Sequence, residues 1–469
     1  MVQTSRSLDA EFLAGLRAAV SAANVLTDPA DRLPYAYDNS RRVALPDLVV
    51  FAHSSTEVRE IVRLCNRFRI PLIARGRGTN TTGATVPVQG GVVLSLERMS
   101  RILEIRPEDR IAVVEPGVTN SELQAALEPQ GLFWPPDPSS AAYSTIGGNL
   151  ACNAAGPRAV KYGSPRENTL GLYAVTGAGQ EIRTGVRTTK GVVGLDLTRL
   201  LIGSEGTLAV ITEATLRLTP KPVAKRTLRA LYRDVGSAAQ AVSRIMSQPE
   251  TPCALEFIDG AAIDMIRNYQ PAAQADLPAS AGAMLMIEVD GSETAVEAAA
   301  AAVCAAARGD GLVELRAAAD AAEVAALWES RKALSPALRT LAPKKINEDI
   351  AVPVSRLAEL IDGLQALSGK HGIRIVNFGH AGNGNIHVNL LGNADDPAEL
   401  AAMHACLDEV FTLVLKLEGT LSGEHGVGME KRAFVSREIG PEALTLMHGI
   451  KCVFDPNGIL NPGKLFPEI

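Results

Sequence analysis

The sequence of 469 residues is poor in cysteine (six), tryptophan (two) and aromatic side chains generally (4%), and it has no long run of like charge or of apolar residues. Each shortage excludes something. Cys65, Cys152, Cys253, Cys304, Cys406 and Cys452 lie far apart and no CxxC occurs, which argues against a disulfide framework, a zinc ribbon and an iron–sulfur cluster and leaves buried, reduced thiols as the expectation. The longest uncharged apolar stretch, Ala298 to Ala307, is about half of the roughly 20 residues that a membrane-spanning helix needs, so no span is expected. With 46 Lys plus Arg against 52 Asp plus Glu, a formal charge of -6 and no basic cluster, the chain offers no footprint for nucleic acid and no polybasic membrane patch. Arg6, Asp9, Glu11 and Arg17 interrupt any apolar signal core between Met1 and Leu26, which reads as an amphipathic surface helix and points to the cytoplasm.

What is present is length enough for two or three domains. Leu48 to Phe51, then Ser54 and Glu57, then Val58, Ile61, Val62, Cys65 and Phe68 at helical spacing, then Ile70 to Ala74, predict strand, capped helix and strand, with Ser54 and Glu57 satisfying each other's helix-end donors. Thr119 and Glu122 repeat the capping pattern, and short β-branched runs between glycines carry strands to Thr219. Past Pro220-Lys221-Pro222 the texture becomes alanine-rich. Helical patterns at Val235–Met246, Glu293–Ala307 and Ser355–His371 alternate there with strand-like segments at Ala254–Ile258, Met284–Val289, Leu312–Leu315 and Ile373–Phe378. The expected division is a helical segment over 1–44, a ligand-binding domain over 45–222, a cap over 223–415 and a C-terminal return over 416–469.

Three glycine-rich segments fall in the strand-rich half. Arg75-Gly76-Arg77-Gly78-Thr79-Asn80-Thr81-Thr82-Gly83 follows a strand and exposes consecutive backbone N–H groups, an arrangement that cradles phosphate oxygens. Its glycine spacing is not a Rossmann fingerprint, and no Gly-Lys-Ser/Thr marks a P-loop. The second runs from Pro136-Asp137 through Thr145-Ile146-Gly147-Gly148-Asn149 to Asn153, Gly156 and Gly163, and the third is Gly203-Ser204-Glu205-Gly206. Three such loops in one domain predict backbone lining one long ligand.

These segments, with Asp455-Pro456-Asn457-Gly458-Ile459-Leu460-Asn461-Pro462-Gly463-Lys464, resemble the flavin-binding oxidoreductases of the vanillyl-alcohol oxidase and p-cresol methylhydroxylase type. Within that type the chain is most similar to the branch of D-lactate dehydrogenase, the glycolate oxidase flavin subunit and D-2-hydroxyglutarate dehydrogenase. The resemblance implies an α+β fold, with a two-subdomain FAD domain of the p-cresol methylhydroxylase type and an α+β cap whose antiparallel sheet is covered by helices. It further implies a bound FAD, with Arg75 to Gly83 on the pyrophosphate, Thr145 to Asn149 and Asn153 along the ribityl and isoalloxazine parts, Gly206 and Ile211 near the adenine half, and Asn461 near the ring. Pro136, Asp137, Gly156, Gly163 and Glu205 belong to the same cofactor set. No histidine stands between Arg75 and Gly83, so the FAD is expected to be non-covalent.

The second half holds a polar constellation. In Gly379-His380-Ala381-Gly382-Asn383-Gly384-Asn385-Ile386-His387-Val388-Asn389, strand-like segments flank a turn that can set His380 beside His387, and Gly423-Glu424-His425-Gly426 follows later. Two imidazoles and a carboxylate suit a divalent ion such as Zn²⁺ or Mn²⁺. The resemblance makes His380, His387 and Glu424 the ligands, places Asn389 close to substrate, and leaves His425 as base. Arg331 matches the branch's carboxylate-binding arginine, whose fork grips a carboxylate bidentately, and Ser335 stands four residues on along the same helix. Relatives often carry a lysine two residues before the Asp that corresponds to Asp349; here that position is Asn347, with Lys344 and Lys345 just upstream, which leaves open which lysine reaches substrate, Lys345 being the one counted among the substrate residues.

The reaction so implied is oxidation of a D-2-hydroxy acid of the lactate, glycolate or 2-hydroxyglutarate class to the 2-oxo acid, with hydride passing to flavin N5. Because no iron–sulfur motif is present, electrons are expected to leave to a separate acceptor: a quinone, a cytochrome or an electron-transfer flavoprotein. A homodimer is one candidate assembly. Two other readings stand beside this one: a flavin-binding subunit of a multi-subunit glycolate-oxidase-like complex, and a flavin-free metal-dependent hydrolase using His380, His387 and Glu424.

Overall fold

The computed structural model describes residues 8–269 and 277–467. They fall into two compact units: one made from residues up to Ala155, Gly163–Lys221 and the chain from Glu424 onward, the other from Gly156–Tyr162 and Pro222–Gly423.

The first unit holds two main sheets. In the four-stranded one, Leu48–Phe51, Val92–Ser95 and Leu72–Arg75 run parallel, with Val25–Leu26 antiparallel at the Leu48–Phe51 edge. Leu48-Val49-Val50-Phe51 is buried throughout, as a parallel strand covered on both faces requires. Leu48, Val50, Leu72, Val92 and Leu94 pack with Val58, Ile61, Val62 and Cys65 of the helix Ser55–Phe68, whereas Val49, Phe51, Ile73 and Val93 cluster on the other side. Ser54 caps that helix by accepting from Glu57 N, but the reciprocal bond differs from expectation: the Glu57 carboxylate accepts from His53 N (2.7 Å), one residue farther back. The helix near the N-terminus is also shorter than the sequence pattern suggests. It spans Ala10–Val20 behind an Asp9 cap and buries Phe12, Leu16 and Val20 at four-residue spacing.

The second sheet of this unit is five-stranded and antiparallel, in the order Ile102–Arg106, Ile111–Val114, Ala209–Arg217, Thr169–Thr176, Glu181–Gly185. Thr119 and Glu122 form the complete capping box at the helix Asn120–Leu127, which packs Leu123 and Leu127 with Trp134 and Leu150 over the sheet.

The other unit is one seven-stranded antiparallel sheet, in the order Leu312–Ala317, Ala224–Tyr232, Ala283–Gly291, Ala254–Asp259, Arg374–His380, Asn385–Gly392, Lys344–Ala351. Residues 156–162 join it because Lys161 Nζ donates to Asp290 O (2.9 Å) and Tyr162 Oη to Asp290 Oδ2 (2.8 Å). The helix Glu293–Ala307 buries Val296, Ala299, Val303 and Ala307, so small side chains allow the close packing expected of the alanine run. Phe378, Val376, Met284, Met286 and Ile258 form a core with the helices Gly260–Tyr269 and Ala321–Leu341. No helix among the described residues is long and apolar enough to cross a membrane. All six cysteines are unpaired; Cys65, Cys253 and Cys406 are buried, but Cys452 is exposed on the helix Pro441–Phe454, contrary to the expectation of uniform burial.

Asp259 closes its strand as a buried carboxylate that accepts from Asn377 N (2.7 Å), Asn377 Nδ2 (3.0 Å) and Ala262 N (2.8 Å). Burial outweighs these bonds and pushes its pKa from 3.8 up to about 6. The folded state therefore binds a proton that the unfolded chain releases between those values, and the associated stability, about 3 kcal/mol, is lost as pH rises from about 4 to 6. Denaturant titrations should show wild type losing ground to Asp259→Asn across that window and running parallel above it; a pH-independent difference would contradict the assignment.

Candidate active site

The three glycine segments converge in the first unit. Gly76 lies so close to Thr145 that a Cβ there would collide with the threonine hydroxyl, so the first and second segments touch where a side chain could not fit. Asn80 organises its own loop by accepting at Oδ1 from Thr82 N (2.8 Å) and Ala84 N (3.2 Å), and its Nδ2 donates to Cys152 Sγ (3.4 Å) and His425 O (3.2 Å). The third segment joins the second through Gly203 N to Leu150 O (2.9 Å) and Glu205 N to Ala151 O (2.8 Å). Asn461 Nδ2 then links Ala84 O (2.9 Å) to Glu205 O (2.7 Å).

Asn153, Glu205 and Asn461 all adopt left-handed backbone (φ 53°, 52° and 43°), a strained state for side-chain-bearing residues that is held only where surroundings over-determine it. The Glu205 carboxylate is buried and accepts from Val427 N (2.6 Å) and Gly428 N (2.8 Å). Burial raises its pKa against the pull of those donors and of Lys431 and Lys464. Burial likewise pushes the Lys464 amine down to about 8.

Two buried polar atoms in the second segment, Asn149 Nδ2 and Ser144 Oγ, have no partner within the protein. A Cβ added at Gly148 would meet the Thr145 hydroxyl at 3.3 Å, a tight contact, and no other side chain within 4 Å. Unsatisfied donors beside bare backbone suit a polar ligand lying along this segment. Other predicted cofactor residues are used within the protein. The Arg75 guanidinium is buried, donating to Thr85 Oγ1 (3.1 Å) and Pro34 O (3.4 Å), so a phosphate would have to compete for it. A Cβ at Gly78 would strike that guanidinium, and one at Gly147 would strike Pro116. Pro136 O accepts from Asn120 Nδ2 (2.8 Å), Asp137 N donates to Ala155 O (3.0 Å), Asn153 Oδ1 accepts from Ser164 Oγ (2.9 Å), and Thr79 O accepts from Asn39 Nδ2 (3.2 Å). Ile211 is a core residue of the five-stranded sheet, and Gly156 lies in the other unit.

On the seven-stranded sheet, register decides which polar residues share a face. Phe378 pairs with His387, His380 with Asn385 and with Glu256, Asp349 with His387, and Asn347 with Asn389. The His380 and His387 rings stand 5.2 Å apart, edge to face. His380 Nδ1 donates to Glu256 Oε1 (2.5 Å), and Arg331 Nε donates to Glu256 Oε2 (2.8 Å) while its guanidinium lies 4.7 Å from the Phe378 ring centre. Glu256 is fully buried; burial raises its pKa, but His380 and Arg331 beside it outweigh burial and hold it below the usual carboxylate range. Behind His387, Asp349 Oδ1 lies 3.7 Å from Nδ1 and accepts from Asn385 Nδ2 (2.6 Å). Asp349 O also accepts from Gly423 N (3.2 Å), and the next residue along the chain is Glu424, followed by His425.

Residues 221–465 match the family described as FAD linked oxidases, C-terminal domain, and residues 46–185 match the FAD binding domain family. The chain belongs to the FAD-linked oxidase family. It is 41% identical to glycolate oxidase subunit GlcD of Bacillus subtilis over 94% of this chain and 93% of that one. It is 33% identical to D-2-hydroxyglutarate dehydrogenase of Stutzerimonas stutzeri over 98% and 99%. In fold it resembles p-cresol methylhydroxylase with substrate bound, at a TM-score of 0.80 and 19% identity, covering 97% of this chain and 96% of that structure. The family resemblance, the α+β class with its p-cresol-methylhydroxylase-like architecture, and the assignment as an FAD-linked oxidoreductase all hold.

For this FAD-linked oxidase, Gly148→Val is expected to reduce flavin content of the purified protein by more than half with folded protein still recovered, because at Gly148 the added Cβ meets a single side-chain atom, the Thr145 hydroxyl, beside the unpaired Asn149 Nδ2 and Ser144 Oγ. Gly78→Val should instead impair folding, since it displaces the buried Arg75 and requires positive φ (65°) of a β-branched residue. Equal flavin content in wild type and Gly148→Val would show that the second segment does not border the cofactor.

The same face identifies which predicted substrate residues meet. Lys345, Asn347 and Asp349 alternate onto the face of the histidines, and Lys345 Nζ donates to Ser335 Oγ (3.1 Å), so register separates Lys345 from Lys344. Asn389 is fully buried, donating to Val376 O (3.0 Å) and His387 O (3.0 Å) and accepting from Asn347 Nδ2 (2.6 Å); a substrate contact would require one of these to be exchanged. Glu256 was not singled out by motif. Its one signal in the sequence is a lone carboxylate inside the apolar strand Ala254-Leu255-Glu256-Phe257-Ile258.

Proposed function

We propose that the protein binds FAD non-covalently and oxidises a D-2-hydroxy acid of the lactate, glycolate or 2-hydroxyglutarate class to the 2-oxo acid. The observation that carries this reading is the sharing of one buried carboxylate, Glu256, by Arg331 and His380, with His387 alongside. A guanidinium can grip a carboxylate through two N–H groups, and here one stands on the same carboxylate as an imidazole, with a second imidazole alongside. The names of the relatives, a glycolate oxidase subunit and a D-2-hydroxyglutarate dehydrogenase, agree with it. When bound, the flavin supplies a two-electron acceptor at N5.

The chain's own residues bind and deprotonate. Arg331 holds the substrate carboxylate, Ser335 and Lys345 lie beside it, and His425 takes the hydroxyl proton. His380, His387 and Glu424 would hold a divalent ion, Zn²⁺ or Mn²⁺, which would supply positive charge for the 2-hydroxy carboxylate. Electrons leave to a separate quinone, cytochrome or electron-transfer flavoprotein, and a cytoplasmic setting fits the unpaired thiols.

The test is turnover by the purified chain with an artificial electron acceptor, over D- and L-enantiomers of 2-hydroxy acids. D-specific oxidation is expected, from yellow protein whose flavin appears wholly in the supernatant after acid precipitation. Oxidation of L-enantiomers alone would overturn the substrate reading, and flavin retained in the pellet would overturn the non-covalent one. Flavin bound but no turnover would favour the subunit reading, in which further chains complete the enzyme. The flavin-free hydrolase is set aside by membership of the FAD-linked oxidase family.

A further inference from the structure

We propose that Glu256 is a positioning residue that fixes His380 and Arg331 to each other, so that one buried carboxylate sets both the metal-binding imidazole and the substrate-binding guanidinium. The proposal rests on the D-2-hydroxy-acid reading above and extends it to a residue outside the glycine and histidine motifs. Glu256 is on the strand Ala254–Asp259, directly opposite His380 in register, and opposite Met286 on its other side. Its two oxygens are divided: Oε1 accepts from His380 Nδ1 (2.5 Å) and Oε2 from Arg331 Nε (2.8 Å).

Each bond removes a rotational freedom that the site would otherwise have. An imidazole whose Nδ1 donates to a carboxylate must carry its remaining lone pair on Nε2, with the ring plane fixed and the ligand atom more basic. A guanidinium bonded through Nε and lying against the Phe378 ring has its plane fixed at both ends. The stabilities of buried ion pairs give no competing explanation, since replacing such a group by apolar residues of similar volume is often neutral or stabilising. Its neighbours along the strand, Leu255 and Phe257, and Met286 across from it are buried apolar side chains. What the carboxylate supplies that a leucine would not is a common origin for the two functional groups.

The test compares wild type, Glu256→Gln and Glu256→Asp as purified flavoproteins, reading zinc or manganese affinity by competition with a chromophoric chelator, and KM and kcat for the preferred D-2-hydroxy acid. Glu256→Gln should weaken metal binding by roughly 10–100-fold and raise KM by about tenfold with flavin stoichiometry unchanged; Glu256→Asp, which keeps the charge at shorter reach, should fall between. If Glu256→Gln fails to accumulate, Glu256→Gln/Arg331→Gln removes the stranded cation, and its metal affinity should show the same loss against Arg331→Gln alone. Metal affinity and KM equal to wild type, with only thermal stability lowered, would overturn the proposal and leave the D-2-hydroxy-acid reading intact. Wild-type protein that turns over without stoichiometric metal would overturn the metal role and this proposal together.

Discussion

Chelation of the purified protein is expected to reduce turnover of a D-2-hydroxy acid by at least about a hundredfold, or roughly 2.7 kcal/mol of barrier, while its flavin stays bound. His380, His387 and Glu424 would hold the ion, and two neutral imidazoles with one carboxylate would leave a dication net positive charge, which would favour deprotonation of the substrate hydroxyl. Without it, the developing alkoxide would be stabilised by His425 and Arg331 alone. Flavin should be unaffected, because the glycine segments are tied to one another through Asn80, Glu205 and Asn461. His380→Ala and Glu424→Ala should reproduce the chelated state, whereas His425→Ala should keep its metal and lose the chemical step. Full activity in protein that elemental analysis shows to be metal-free would refute the metal role, and would recast the histidines as direct hydrogen-bond partners of substrate.

Removal of the Glu205 carboxylate should be the most damaging single change in the first unit. Glu205→Ala leaves the N–H groups of Val427 and Gly428 without their acceptor, at about 1–3 kcal/mol each. It also withdraws negative charge from the buried Lys431 and Lys464. A loss of roughly 2–6 kcal/mol is therefore expected in denaturant unfolding, together with loss of flavin. Because Val427 follows His425 by two residues, the same variant should lose turnover even where flavin is added back. Glu205→Gln, which retains one acceptor oxygen, should be milder in every measure. Wild-type unfolding and flavin content in Glu205→Ala would show that the third segment does not depend on this anchor.

Local patterns in the sequence determined a good deal. Thr119 and Glu122 specify a capping box within four residues, and it forms as written. The Gly/Asn turn between His380 and His387 specifies a hairpin, and an antiparallel pair must then bring those rings together. One glycine segment between strands is usually a turn; three of them in one strand-rich region pointed to a ligand, and the close approach of Gly76 to Thr145 fits that reading. These are short-range relations, in which spacing along the chain is spacing in space.

The tertiary structure alone decided what depends on pairing between distant segments. Glu256 meets His380, 124 residues on, because two strands adjoin in one register, and a single glutamate in an apolar run cannot announce its partner. Lys345, and not Lys344, lies on the face of the histidines by the same rule, since a strand turns successive side chains to opposite faces and only the register with Asn385–Gly392 says which face carries the histidines. The resemblance assigns Arg75 and Gly78 to the cofactor and Asn389 to the substrate; in the fold Arg75 and Asn389 are buried and bonded within the protein and Gly78 makes room for Arg75. Whether a polar group faces a ligand or a neighbouring carbonyl depends on what the rest of the chain places beside it, and no local pattern encodes that.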